Sequence, residues 1–119
     1  MKRACYILAA VLFTIVAACT KYQIPAPECP EGRSGMSFSN DIQPIFNNKC
    51  VSCHAGNQPP DLSDGWSYEE LMDGDYVSEA EFACESSLYQ VFSGTHSGRV
   101  TDEELLKILG WIQEGAKDN

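Results

Sequence analysis

The chain has 119 residues, 17 acidic against 8 basic side chains and a formal charge of −9 at pH 7. That length is enough for one small folded domain and no more. The negative balance argues against nucleic acid and against a separate attraction to anionic lipid headgroups, and it would steer a partner with a basic docking surface towards the protein. A solvated face that keeps the chain soluble is the plainer account of acids such as Glu69, Glu70, Asp73, Asp75, Glu79, Glu81 and Glu85.

In chain order, Met1, Lys2 and Arg3 give a positive start and Tyr6 to Val16 is almost wholly apolar, which predicts a secretory signal over 1–18. The apolar run is too short for a comfortable membrane span. It closes on Val16-Ala17-Ala18-Cys19, which resembles the lipobox of bacterial lipoproteins. The resemblance implies cleavage before Cys19 and acylation of that cysteine, hence export and a lipid anchor. Loss of Lys2 and Arg3 with the leader would take the charge from −9 to −11. Thr20 behind the cysteine lacks the aspartate that keeps enteric lipoproteins at the inner membrane. By analogy this favours the outer membrane, on its periplasmic side or at the cell surface.

The stretch Lys21 to Gly35 holds three prolines and two glycines without apolar period, so residues 19–37 are expected to form an extended, lipid-anchored linker. The folded domain is expected over 38–119. No strand alternation is evident, and four short helices are predicted, an all-α fold. The first starts at Ser39 or Asn40 as N-cap, with Pro44 in its early turns, and runs towards Cys50. The second opens at Ser67, where S-Y-E-E has capping-box spacing, and stops by Gly74. The third covers Ser86 to Phe92, with Gly94 as its stop. The last has Thr101 and Glu104 as a capping box, Leu105, Ile108, Leu109 and Ile112 at helical spacing, and Gly115 beyond its end. Helices this short around so few large apolar residues make a marginal domain, so something else should fill the middle.

Cys50-Val51-Ser52-Cys53-His54 is the C-x-x-C-H pattern of covalent haem attachment. Two thiols three residues apart on one helical turn reach two vinyl groups on one haem edge, and the adjacent imidazole swings beneath the ring to the iron. A flat, largely apolar group fixed this way supplies the missing core. Two other chemistries use similar residues. A thioredoxin-like pair needs a strand-then-helix setting, and none precedes Cys50. Zinc could take Cys50, Cys53, His54 and His96, yet no second ligand pair has zinc-finger spacing. No nucleophile setting for an enzyme stands out.

From Phe38 onward, F-S-N-D-I-Q-P-I-F-N-N-K-C-V-S-C-H-A-G, S-L-Y-Q-V-F-S-G and L-L-K-I-L-G-W-I-Q-E-G-A resemble the small cytochrome c domains of lipoproteins from Bacteroidetes-type bacteria. The resemblance implies the cytochrome c fold, haem c bound through Cys50 and Cys53 with His54 as proximal iron ligand, and electron transfer with a redox protein rather than catalysis. Members of that family usually offer a distal methionine in the loop before the last helix. Here the loop reads Thr95-His96-Ser97-Gly98-Arg99-Val100, so His96 is the first choice of sixth ligand, with Met72 or an open iron as alternatives. His96 as a plain loop residue and Met72 as helix-end packing are the competing readings. An open sixth site would instead suit a haem-based sensor or small-ligand binder, and an accessory haem subunit of a larger membrane complex fits the same fold.

Removing Cys5 with the leader, Cys19 to lipid and Cys50 with Cys53 to haem leaves Cys29 and Cys84. Two spare cysteines in an oxidising compartment predict one disulfide, which would pin the linker to the domain.

Overall fold

The computed structural model describes residues 28–119; the predicted leader, the lipobox and Cys19 lie outside the described residues. Within them the chain is helical, without strands. A π-helical turn, Phe38–Ile42, leads into α1, Gln43–Lys49. Next come α2, Ser67–Asp73, then α3, Ser87–Gln90, and α4, Asp102–Gln113. Two 3₁₀ segments, Ala80–Glu85 and Val91–Ser93, flank α3. Among the described residues no helix is long and apolar enough to cross a membrane.

The first helical stretch starts earlier than expected. Ser37, not Ser39 or Asn40, is the N-cap: its hydroxyl accepts from Asn40 N–H at 3.2 Å, and its own N–H donates to Asp41 Oδ2 at 2.9 Å. Pro44 has no N–H to offer the carbonyl of Asn40, so the ladder passes this point through a wider turn, in which Gln43 N–H bonds to Phe38 O. The second helix has the expected span but lacks the expected capping box. Trp66 occupies its cap position without a side-chain bond, and Ser67 is buried, its hydroxyl donating to Gln43 Oε1. The amide of Gln43 in turn donates to Leu62 O at 3.1 Å, so α1, the following loop and α2 share one buried polar link. The third helix, expected over Ser86 to Phe92, is α-helical only over Ser87–Gln90 and continues as a 3₁₀ turn, with Ser86 as its cap, the hydroxyl accepting from Tyr89 N–H. In α4 the capping box is complete: Thr101 Oγ1 accepts from Glu104 N–H at 3.2 Å, and Glu104 Oε2 accepts from Thr101 N–H at 2.8 Å.

The apolar stripe of α4 buries Ile108, Leu109, Trp111 and Ile112 against the π turn, which contributes Phe38 and Ile42. Phe38 sits 5.1 Å from the Trp111 ring and 5.2 Å from Tyr68, centroid to centroid. The polar tips of both partners are satisfied, Trp111 Nε1 by Lys117 O at 2.9 Å and Tyr68 Oη by Ala116 O at 3.0 Å.

The segment expected to be a linker runs extended from Glu28, as its prolines suggest, but it is docked along α4 as a strap. Gln113 grips it from both sides, accepting from Gly32 N–H at 2.8 Å and donating to Pro30 O at 2.9 Å. Arg33 N–H donates to Leu106 O at 2.8 Å, and its guanidinium pairs with Glu103. That pairing holds the exposed Glu103 carboxyl below its ordinary range. Strap and helix touch backbone to backbone. A Cβ added to Gly110 would stand 1.8 Å from Arg33 O, and one on Gly32 would stand 2.1 Å from Gly110 N, so both positions require glycine. The predicted disulfide is present: Cys29 and Cys84 are joined with Cα atoms 5.8 Å apart, inside the range such bonds need.

Candidate cofactor pocket

Opposite the strap, α1, α2, α3 and the loops around them leave a cavity of about 200 Å³, or about 840 Å³ with the space at its open mouth. Its walls are almost wholly apolar: Phe46 comes from α1, Leu71 from α2, Leu88 from α3, and Val91 and Phe92 from the turn behind α3. Enclosed volume on this scale falls short of the roughly 300–1,000 Å³ of sites that engulf a ligand.

All four residues singled out from the motif and the distal loop face this one cavity: Cys50, Cys53, His54 and His96. The first three are placed by the turn that ends α1, where Cys53 N–H and His54 N–H both donate to Cys50 O at 3.0 Å. The turn leaves Cys53 exposed and Cys50 half-buried. Burial pushes the Cys50 thiol up, opposed by the Arg99 guanidinium and reinforced by the Glu104 carboxylate.

The loop after the motif wraps His54. Leu62 N–H donates to His54 O at 2.7 Å, and the ring Nδ1 lies 3.0 Å from Pro60 O and 3.2 Å from Gln58 O. Carbonyl oxygens only accept, so Nδ1 carries the proton and Nε2 is left with a free lone pair, the form in which imidazole binds a metal. On the other wall, His96 N–H donates to Val91 O at 2.9 Å, and Gly98 at φ +78° turns the chain so that Arg99 N–H donates back to His96 O at 3.0 Å. The two imidazoles stand 6.1 Å apart, centroid to centroid, with 47° between their planes. Two metal–nitrogen bonds of about 2 Å plus the half-width of each ring come to about 6 Å, so one metal centre between them would span the gap. Met72 is 38% exposed and does not line the cavity; it neither packs in the core nor points to this site.

Among the described residues no three His, Cys, Asp or Glu side chains converge as a metal cluster, so a tetrahedral centre has no ligand set here. His54 and His96 line the cavity together with the half-buried Cys50 and the exposed Cys53. Sequence reasoning did not anticipate Pro60, Leu62, Tyr76 and Arg99 as lining residues. They come from loops, where no periodicity marks a buried side chain.

No protein-family model matches the chain, and no solved structure matches it. Among curated proteins it is similar to the hydrazine synthase subunit alpha of Kuenenia stuttgartiensis, 27% identical over 123 aligned positions. That alignment takes in 69% of this chain and 15% of the relative, so the chain spans a small part of the length of the protein it matches.

Proposed function

We propose that the protein is a monohaem c-type cytochrome that carries electrons outside the cytoplasm and is not an enzyme. The observation that supports this most directly is the gathering of Cys50, Cys53, His54 and His96 around one apolar cavity. The residues fit the group. Cys50 and Cys53 would supply the two thiols for one haem edge, His54 turns Nδ1 to backbone carbonyls and so keeps Nε2 for the iron, and the apolar walls would bury the body of the group. When bound, haem c supplies an iron that gains and loses one electron. The protein's part is to hold that iron from two sides, to exclude water with Phe46, Leu71, Leu88 and Phe92, and to leave the thioether edge open towards a partner. On this reading the fold is that of cytochrome c, and acylated Cys19 tethers the domain to the outer membrane, in the periplasm or at the cell surface.

The test is expression in a host with haem-attachment machinery. Haem should remain with the polypeptide after denaturation and acid extraction. Loss of all haem from matured protein would sink the reading. His96→Ala should open the iron to carbon monoxide, and wild type should have a lower potential than a methionine-ligated c-type haem. An unchanged low-spin spectrum in His96→Ala would remove His96 as the ligand. Mass spectrometry should find Cys19 acylated, and Cys19→Ala should release the protein from membranes.

Two further readings have their own support. His96 sits in a largely exposed loop held by two backbone bonds, so a small molecule could displace it; a wild type that binds carbon monoxide readily would favour a haem-based sensor. The likeness to part of a named enzyme subunit favours an accessory haem subunit of a larger complex, which stable co-purification would reveal.

A further inference from the structure

Gln43 is an amide on the face of α1 that otherwise buries apolar side chains. It is only 5% exposed, beside the buried Ile45 and Phe46, and every polar atom of its side chain is engaged. Nε2 donates to Asn47 Oδ1 at 2.9 Å and to Leu62 O at 3.1 Å, and Oε1 accepts from the Ser67 hydroxyl. Burying an amide costs folding energy that its bonds only offset, so packing alone would be served better by an apolar side chain. The bond to Leu62 falls on the loop that wraps His54. Leu62 N–H donates to His54 O at 2.7 Å, and Pro60 O, two residues earlier, lies 3.0 Å from His54 Nδ1. Residues 55–62 have no helix or strand of their own to stiffen them. Their other bond to a helix side chain, from Asp61 N–H to Glu70 Oε2, is exposed and 3.5 Å long. Gln43 is the buried tie between this loop and α1.

We infer that Gln43 is a positioning residue for His54. By holding Leu62 O it keeps Pro60 O against the imidazole, which fixes the proton on Nδ1 and leaves the lone pair on Nε2. This rests on the haem reading and deepens it. A carbonyl that accepts from the remote ring nitrogen makes an imidazole more basic, and a more basic ligand favours ferric over ferrous iron.

The experiment uses haem-loaded protein, with attachment confirmed first by haem retained after denaturation. Absence of haem at that step overturns the haem reading and with it any role for Gln43 towards an iron ligand. In the ferrous wild type, hydrogen exchange followed by NMR should show Gln43 Nε2–H, Leu62 N–H and His54 Nδ1–H released by one opening, their rates rising in step as denaturant is added. Release of His54 Nδ1–H without Leu62 N–H would overturn the inference, and this comparison decides the matter if the variants fail to load haem. Gln43→Met keeps the length of the side chain and lacks the amide. It should quicken exchange of His54 Nδ1–H about tenfold. It should also weaken the preference for ferric iron about threefold, an upward shift in potential of about 28 mV at about 59 mV per tenfold for one electron. Ser67→Ala removes another buried bond of Gln43 but leaves Nε2 on Leu62 O, so it should lower stability without moving either readout. Unchanged exchange and potential in Gln43→Met, or equal shifts in Ser67→Ala, would overturn the positioning role and leave the haem reading intact.

Discussion

The strap side and the cavity side of this domain are built on opposite terms. On the strap side two backbones meet without side chains between them at Gly32 and Gly110, bound by a disulfide, an ion pair and the two-handed grip of Gln113. On the cavity side the helices stop short of one another and their apolar side chains border open space. The difference divides the molecule in two: one face is closed by the chain's own groups, and the other is left open around an apolar cavity, the haem site of the function proposed above.

If that division is real, damage to the strap should cost stability and spare the site. The largest effect is expected from Cys29→Ser with Cys84→Ser. Opening a loop with a sequence separation of 55 should cost about 4 kcal/mol in the chain-entropy account, read by denaturant unfolding with the cavity residues untouched. Next, two fully buried leucines separate the faces. Leu109→Ala, in the closed core, should cost about 3–4 kcal/mol, whereas Leu71→Ala, whose side chain already borders the cavity, should cost about 2 kcal/mol. Equal losses would erase the distinction. Gly110→Ala should destabilise by about 2 kcal/mol even though alanine is the better helix former, because its methyl meets Arg33 O; a gain in stability would show that the close approach is not needed.

The smallest effect belongs to Thr101→Ala, about 1 kcal/mol at neutral pH. It should also depend on pH. The Thr101 N–H, which alanine keeps, and the Thr101 hydroxyl, which alanine lacks and which donates to Glu104 Oε2 at 3.1 Å, both hold the Glu104 carboxyl below its ordinary value of 4.5, so the hydroxyl's bond favours the charged, folded form above that pH. Its contribution is lost as pH falls below about 4.5 and the carboxylate is protonated in the folded protein. The gap between wild type and Thr101→Ala should therefore narrow in acid. A gap that widened would reverse the assigned sign.

Much of this organisation was legible in the residues alone, for local reasons. The capping box of α4 is contained in four consecutive residues, and the C-x-x-C-H spacing needs only one turn of helix, so neither depends on distant packing. The disulfide followed from counting cysteines. What escaped is tertiary. Ser37, Ser39 and Asn40 are all good caps within four positions, and Asp41, which accepts from Ser37 N–H, helps settle which one serves. Ser67 looked like a cap but is the buried partner of Gln43, 24 residues away. The glycines at the crossing carry no periodic signal, and the strap's prolines suggested a free tether because its hydrogen-bond partners lie some 70 to 80 residues on.

The disulfide also has a mechanical consequence. It makes residues 29 to 84 a covalent ring, and tension applied to the chain on either side of a ring is carried by the cross-link rather than around the loop. Cys50, Cys53 and His54 all lie inside that ring. A pull from the N-terminal side would enter the fold at Cys29 and pass straight to Cys84, so residues 50 to 54 would bear none of the load.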